Sequence, residues 1–257
     1  MLPYVESTQF SLGPLVIHTW GLFASLGMVL ASVVAVHEAR RRGIDTDRML
    51  TLILWSLIAA FIGARVAYVA NEWGELRADP AQVFALWDGG LASWGGIVGI
   101  VVTLAVLTRR WRVRFWQYAD IIALAAPIGL GCGRIGCSLI HDHLGRETTL
   151  PWGIETPDGT IRHEPSYYLV LANVVLFLML WRLARRQSLP PGALTVVFLI
   201  GQGLTRLVLD TFRAADLSLV DPRFGALTVA QYFFLVQIAV GLGLWAWLRR
   251  PSRTQTA

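Results

Sequence analysis

The chain has 257 residues, of which 55% are hydrophobic and 15% charged, and its mean hydropathy is +0.55. This composition is too apolar for a soluble domain of that length and indicates a polytopic membrane protein. The formal charge of +5 does not indicate a nucleic-acid partner, because the arginines fall in short clusters between apolar runs. The spacing of Cys132 and Cys137 matches no common zinc or redox motif, so we expect no metal, disulfide or cofactor.

Apolar runs of about 20 residues, the length that an α-helix needs to cross a bilayer, recur along the chain. Residues 1–14 carry no basic region before the first run, so we expect that run to remain as an anchor rather than be cleaved as a signal peptide. The expected fold is all-α, in a single transmembrane domain over residues 1–257. The seven expected spans lie at about residues 16–36, 49–70, 90–108, 118–137, 166–184, 193–212 and 227–248.

The distribution of arginines predicts the topology. Arginine clusters follow the first, third, fifth and seventh runs, whereas the other connections hold scattered ones. By the positive-inside rule, the N-terminus is then outside and the C-terminus cytoplasmic. The outward connections are residues 71–89, 138–165 and 213–226. We expect the first to lie at the membrane interface and the second to form an irregular head.

One stretch, GLGCGRIGCSLIHDHLGR from Gly129 to Arg146, places Arg134 among apolar residues. An arginine at bilayer depth costs about 2.5–3.5 kcal/mol on insertion scales, so it marks a functional site by default. The alternative is that Arg134 extends to the membrane surface from a helix end.

Two further arginines, Arg65 and Arg206, lie within apolar spans, and the acids available to them are Asp120 and Asp210. Arg206 and Asp210 are spaced i, i+4 on one helix face, so they either form a neutral brace or belong to a site. These three arginines are matched by only two acids, which leaves an excess of positive charge within the membrane. Guanidinium groups bind phosphate bidentately, and in a membrane this favours a phospholipid headgroup.

At this point the sequence resembles the bacterial prolipoprotein diacylglyceryl transferases. The blocks that carry the resemblance are FSLGPLVIHTWGL, WDGGLASWGGIVG, GLGCGRIGC…LGR and LIGQGLTRLVLDTFR, in this order. The resemblance implies a seven-helix inner-membrane enzyme that moves the diacylglyceryl group of phosphatidylglycerol onto the lipobox cysteine of a preprolipoprotein. Its implied partners are phosphatidylglycerol, preprolipoprotein signal peptides and membrane lipids.

The resemblance also assigns site residues by position. Arg134 matches the signature arginine of the fourth span, and Gly145 and Arg146 close that signature. Arg206 matches the second headgroup arginine, and Asp210 the acid that follows it.

Three further positions match the family pattern. Asp120 corresponds to the aspartate of the fourth span, and Arg65 and Tyr68 to an arginine–tyrosine pair of the second. The phosphate-binding half of the site is therefore expected to be present.

The departures from the family pattern fall on the proton-transfer half of the site. Trp20 stands where the family typically has tyrosine, Trp94 where it has the histidine usually assigned as the base, Cys137 where it has asparagine and Gln202 where it has tyrosine. We expect all four to line the substrate site. The usual entry to the fifth span is reduced to HEPSYYL, residues 163–169.

Thiol alkylation needs a thiolate, and a free cysteine is only a few per cent ionised at neutral pH. The indole of Trp94 only donates a hydrogen bond and cannot take the proton. His141 and His143 stand where the family usually has glycine and leucine, so we expect one of them to serve as the base. The alternative is that both are solvated loop residues.

Two other functions remain open at this stage. One is a non-catalytic relative that binds a phospholipid or a lipoprotein signal helix. A more distant one is an anion or lipid transporter, which is disfavoured because the sequence contains no visible half-repeat.

Overall fold

The structure is a computed structural model that describes residues 3–13, 15–77, 80–84, 89–186, 189–214, 216, 223–225 and 227–250. In these ranges seven helices are long and apolar enough to cross a membrane, which confirms the predicted spans. The helices are α1 (Thr19–Arg41), α2 (Thr46–Asn71), α4 (Ser93–Arg110), α5 (Phe115–Ile140), α6 (Pro165–Ala184), α7 (Ala193–Leu209) and α8 (Val229–Leu248).

Shorter elements fill the connections. Helix α3 (Trp73–Leu76) and a 3₁₀ turn (Pro80–Phe84) form the segment expected at the interface, and a second 3₁₀ turn (Asp210–Phe212) follows α7. The described residues also contain three two-stranded antiparallel hairpins. Their strands are β1 (Gln9–Leu12) with β2 (Leu15–His18), β3 (Ile154–Glu155) with β4 (Ile161–Arg162), and β5 (Arg223–Phe224) with β6 (Leu227–Thr228).

Contacts divide the chain into two compact units. Unit 2 is Ala35–Ala119, and within it α2 packs along α4. A Cβ added to Gly95 would lie 2.2 Å from the Gly63 carbonyl oxygen, so only glycine permits this approach. Close backbone contact between small residues is a principal source of helix association in lipid.

Unit 1 comprises Met1–Val34 and Asp120–Ala257, and within it α7 packs against both α6 and α8. Its apolar core is formed by leucines of three helices, namely Leu124, Leu176, Leu180 and Leu194. The prediction of one domain over residues 1–257 stays a prediction.

The connections of unit 1 form a small head, defined here as residues 141–164 and 210–214. Backbone hydrogen bonds join its two segments: the amide of Arg146 donates to the Phe212 carbonyl, and that of Ala214 donates to the Leu144 carbonyl. The N-terminal segment is attached to the end of α5, since the Ser7 amide donates to the Leu139 carbonyl. The irregular head predicted at 138–165 is thus present, although α5 extends into it as far as Ile140.

Asp120 holds the start of α7, which differs from the substrate-binding role expected of it. Its buried carboxylate accepts from the amides of Gly192 and Thr195 at 2.8 Å and from the Thr195 hydroxyl at 2.7 Å. Along α5 it lies 14 residues before Arg134, a rise of about 21 Å. Asp120, near the start of α5, therefore caps the N-terminal end of α7.

We expect Asp120→Ala to lower the free energy of unfolding by about 2–4 kcal/mol, because two buried amides lose their acceptor. Thermal unfolding in detergent measures the loss. Asp45→Ala is the matched control: Asp45 caps α2 in the same manner but is exposed, so about 1 kcal/mol is expected. Equal melting temperatures for the two variants would contradict this assignment.

Candidate active site

Arg134 of α5 and Arg206 of α7 are half-buried and close enough to repel each other electrostatically. Arg134 Nη1 lies 3.8 Å from the Cys137 sulfur, and Arg206 Cζ lies 4.9 Å from the centre of the Phe234 ring. Across the described ranges of the chain, neither guanidinium forms an ion pair with a carboxylate. Two like charges held close together without a directly ion-paired carboxylate form a site for an anion.

Asp210 does not form an ion pair with Arg206, so the neutral i, i+4 brace, one of the two alternatives left open by the sequence, is not formed. Helix α7 ends at Leu209 and Asp210 begins a 3₁₀ turn, which redirects its side chain. Its Oδ1 lies 2.9 Å from Arg213 Nε, and its Oδ2 accepts from the Thr228 hydroxyl at 2.7 Å. Asp210 therefore joins the turn after α7 to the start of α8 and leaves Arg206 to a ligand.

Cys137 links the arginine pair to the head. Its buried thiol lies one helical turn after Arg134, and the Trp20 indole and the Asp142 carboxylate are among its polar neighbours. The chain continues from Asp142 to His143, whose Nδ1 lies 2.9 Å from Asp142 Oδ2. Two positions where the sequence departs from the family pattern, Trp20 and Cys137, thus lie near the pair Asp142 and His143.

Asp142 is ionised at neutral pH. Burial tends to raise the pKa of this carboxyl, but the hydrogen bond and charge of His143 and the charge of Arg134 together hold the pKa below its ordinary value. A carboxylate therefore stands between the histidine and the arginine pair.

The two candidate histidines have different environments. His141 is buried, with Nδ1 2.8 Å from Glu164 Oε2 and its ring stacked on Tyr4 at 4.3 Å between centroids. His143 keeps 42% of its side chain exposed. His141 is thus enclosed by Tyr4 and by Glu164, which also caps α6, and the prediction that it belongs to the catalytic group stays a prediction.

Gly145 and Arg146 lie where the two segments of the head cross. A Cβ on Gly145 would lie 2.6 Å from the Cβ of His163 and 2.8 Å from the Phe212 carbonyl oxygen. Arg146 is exposed, and its Cζ lies 5.1 Å from the centre of the Phe212 ring. The conformation of the head at this crossing therefore requires glycine.

Arg65, the third arginine expected at the substrate site, is occupied within unit 2. Its guanidinium donates to the carbonyls of Val83, Gly89, Gly90 and Gln82, at 2.9, 2.6 and 2.9 Å for the first three. The ring of Tyr68 lies 5.2 Å from its Cζ. The pair braces the connection between α2 and α4, and the substrate contacts expected of both residues stay predictions.

The remaining two predicted residues have fewer defined contacts. Gln202 is half-buried on α7, four residues before Arg206 and therefore on the same helix face. Trp94 belongs to unit 2, at the start of α4, and is 46% exposed. Their expected substrate contacts stay predictions.

Several residues that shape the site were not found from the sequence. Asp142 could have been found from the sequence, because a carboxylate next to a histidine can hold the imidazole ring in one orientation. The others are long-range partners with no local signal: Glu164 for His141, Phe234 for Arg206, and Asp216 for the buried Arg162, at 2.7 Å.

His163, whose Nδ1 lies 2.8 Å from the Tyr168 hydroxyl, makes the head sensitive to acid. Burial and the positive charge of Arg146 lower the pKa of His163 below its ordinary 6.5. The unfolded chain then binds this proton more readily, so stability is constant above about pH 6.5 and falls as the pH drops towards the folded pKa. We expect the melting temperature to fall between pH 7 and pH 5, and His163→Gln to reduce that fall. An identical pH dependence in the variant would rule out His163 as its cause.

The comparisons with known proteins agree with this geometry. Residues 7–247 match the family described as prolipoprotein diacylglyceryl transferase. A protein of Coxiella burnetii named phosphatidylglycerol–prolipoprotein diacylglyceryl transferase is 32% identical, over 98% of both chains. Proteins of the same name from Legionella pneumophila and Erwinia tasmaniensis are 31% and 32% identical, over 96% and 98% of this chain and 98% and 95% of theirs. This chain is a multi-pass membrane protein that belongs to the prolipoprotein diacylglyceryl transferase family.

Proposed function

We propose that this chain transfers the diacylglyceryl group of phosphatidylglycerol to the lipobox cysteine of a preprolipoprotein and releases glycerol phosphate. The relatives named above carry both substrates in their names. The observation that carries the proposal is the pair Arg134 and Arg206, two neighbouring guanidiniums that form no ion pair within the described residues. In this proposal, units 1 and 2 are parts of a single transferase domain.

In the reaction, the cysteine sulfur attacks the glyceryl carbon that carries the phosphate, and the bond between that carbon and the phosphate oxygen breaks. The electron pair of that bond passes to the phosphate oxygen, so negative charge grows on the leaving group. Arg134 and Arg206 bind this phosphate and stabilise it most strongly as its charge increases. They also fix the headgroup, so that attack occurs from one direction.

The substrates define the expected setting. We propose that the chain lies in the bacterial inner membrane with its N-terminus outside and that the head faces outward, where the signal peptide of a secreted preprolipoprotein presents its cysteine. The arginine clusters after α1, α4, α6 and α8 support this orientation.

A non-catalytic lipid-binding relative is the second candidate. The observation that favours it is Trp94, because an indole stands where the family usually has its base. Such a protein would need the same arginine pair, so only turnover separates the two functions.

The test uses the purified full chain in detergent with phosphatidylglycerol and a synthetic lipobox peptide. Mass spectrometry measures the thioether product, and an enzymatic assay measures glycerol phosphate. We expect the two products in equal amounts. Binding of phosphatidylglycerol without either product would contradict the transferase and support the lipid-binding relative. Movement of lipid between leaflets of proteoliposomes without product would instead support a transporter.

A further inference from the structure

We propose that His143, oriented by Asp142, is the base that takes the proton of the substrate cysteine in this chain. The inference rests on the proposed function and deepens it, since it supplies the proton acceptor that the sequence lacks at Trp94. It assigns the role to one of two adjacent histidines and adds a carboxylate that the sequence pattern did not identify.

The first argument is the proximity of His143 to the phosphate site. Arg134 Nη1 lies 3.8 Å from the Cys137 sulfur, the charge of Arg134 acts on the Asp142 carboxylate, and Asp142 Oδ2 lies 2.9 Å from His143 Nδ1. The arginine that holds the leaving group and the histidine are thus both neighbours of one carboxylate. A base is therefore available close to the phosphate site.

The second argument concerns the ring of His143. When Nδ1 carries a hydrogen and donates it to Asp142, the other ring nitrogen, Nε2, keeps its lone pair. With 42% of its side chain exposed, His143 can receive a substrate group at Nε2. The charged groups that bear on Asp142 are His143 and Arg134, so the carboxylate is stabilised as an anion and in turn favours the imidazolium that forms.

His141 has the same arrangement at Nδ1, which lies 2.8 Å from Glu164 Oε2, and its Nε2 has no hydrogen-bond partner among the described residues, but it lacks the exposure of His143. Its side chain is 1% exposed, as is that of its partner Glu164, and the Tyr4 ring stacks on it. A substrate thiol therefore meets the ring of His143 more readily than the ring of His141. The two histidines therefore divide into a structural residue, His141, and a catalytic one, His143.

The thiol proton passes to Nε2 of His143, and the resulting thiolate forms the sulfur–carbon bond as the carbon–oxygen bond to the phosphate breaks. Glycerol phosphate leaves with that electron pair, and His143 returns its proton to solvent. Asp142 is a positioning residue that holds Nδ1 and exchanges no proton.

The pH dependence of turnover tests this assignment. We expect His143→Gln to lower kcat/KM for the lipobox peptide about 10- to 100-fold at pH 7, the size of a general-base contribution. Above about pH 9 the peptide thiol is already ionised, so the loss should shrink to a few-fold. A misfolded variant would not recover at alkaline pH. Asp142→Asn should show a loss in the same direction that also shrinks above pH 9.

His37→Gln, which replaces an exposed histidine of α1, is the matched control and should follow wild type at every pH. Equal kcat/KM for His143→Gln and wild type at pH 7 would overturn the base assignment and leave the transferase intact. A loss of the same size at pH 7 and pH 9.5 would also overturn it, because the role would then be structural. Wild-type protein that binds phosphatidylglycerol but forms no thioether would instead overturn the proposed function, and the base with it.

Discussion

Replacement of Arg206 by glutamine should lower kcat about 10²- to 10³-fold, the size of the loss when one group that stabilises a developing oxyanion is removed. Arg206 has its guanidinium 4.9 Å from the Phe234 ring and no ion-pair partner within the described residues, so its charge is available to the phosphate. Glutamine retains a hydrogen-bond donor, but it is shorter than arginine and has no charge. Steady-state kinetics with phosphatidylglycerol and a lipobox peptide measure the effect.

Arg185→Gln is the matched control for this variant. Arg185 also lies over an aromatic ring, with its Cζ 4.8 Å from the centre of Trp181, but it is an exposed residue at the end of α6. We expect its kcat to remain within about twofold of wild type, as for surface substitutions away from special features. Similar losses in the two variants would mean that Arg206 serves only packing.

The second large effect is expected from Gly145→Val, which should destabilise the head and abolish turnover. A Cβ at this position would lie 2.6 Å from the Cβ of His163 and 2.8 Å from the carbonyl oxygens of His163 and Phe212, and two of these three atoms are backbone. Overpacking of this kind costs about 1–3 kcal/mol, and more where backbone must move. We expect the melting temperature to fall by roughly 3–10 °C.

Gly243→Val on α8 provides the comparison, since no atom lies within 4 Å of its added Cβ. Its melting temperature and turnover should remain close to those of wild type. If Gly145→Val had the same melting temperature as Gly243→Val and remained active, the head would not require glycine at position 145.

The spans could be predicted from the sequence because the physical requirement is local. A run of about 20 apolar residues is sufficient to identify each of the seven helices, whatever it packs against. The cost of burying charge also singled out Arg134 and Arg206, which are neighbours in the structure, and their role in phosphate binding stays a prediction.

The same cost does not distinguish a ligand-binding role for Arg65 from a structural one. Its charge is stabilised by carbonyl groups that a returning connection brings to it, among them those of Val83 and Gly89. Backbone carbonyls occur at every residue and leave no mark in the sequence, so a buried arginine braced by them is indistinguishable from one that awaits a ligand.

The histidines show a second limit. His141 and His143 are equivalent as sequence, since each is a histidine gained in the same loop. Glu164, which encloses His141, lies 23 residues further along the chain, and Tyr4 comes from the N-terminal segment. Only the fold brings these partners together, so the choice of His143 required the structure.

The most direct measurement is the retention of phosphatidylglycerol by purified protein, followed by native mass spectrometry in detergent. We expect wild type to retain the lipid and the double variant Arg134→Gln/Arg206→Gln to lose it, while Asp120→Asn, with its substitution about 21 Å along α5 from Arg134, retains it. Equal retention by wild type and the double variant would contradict the assignment of the arginine pair as the headgroup site.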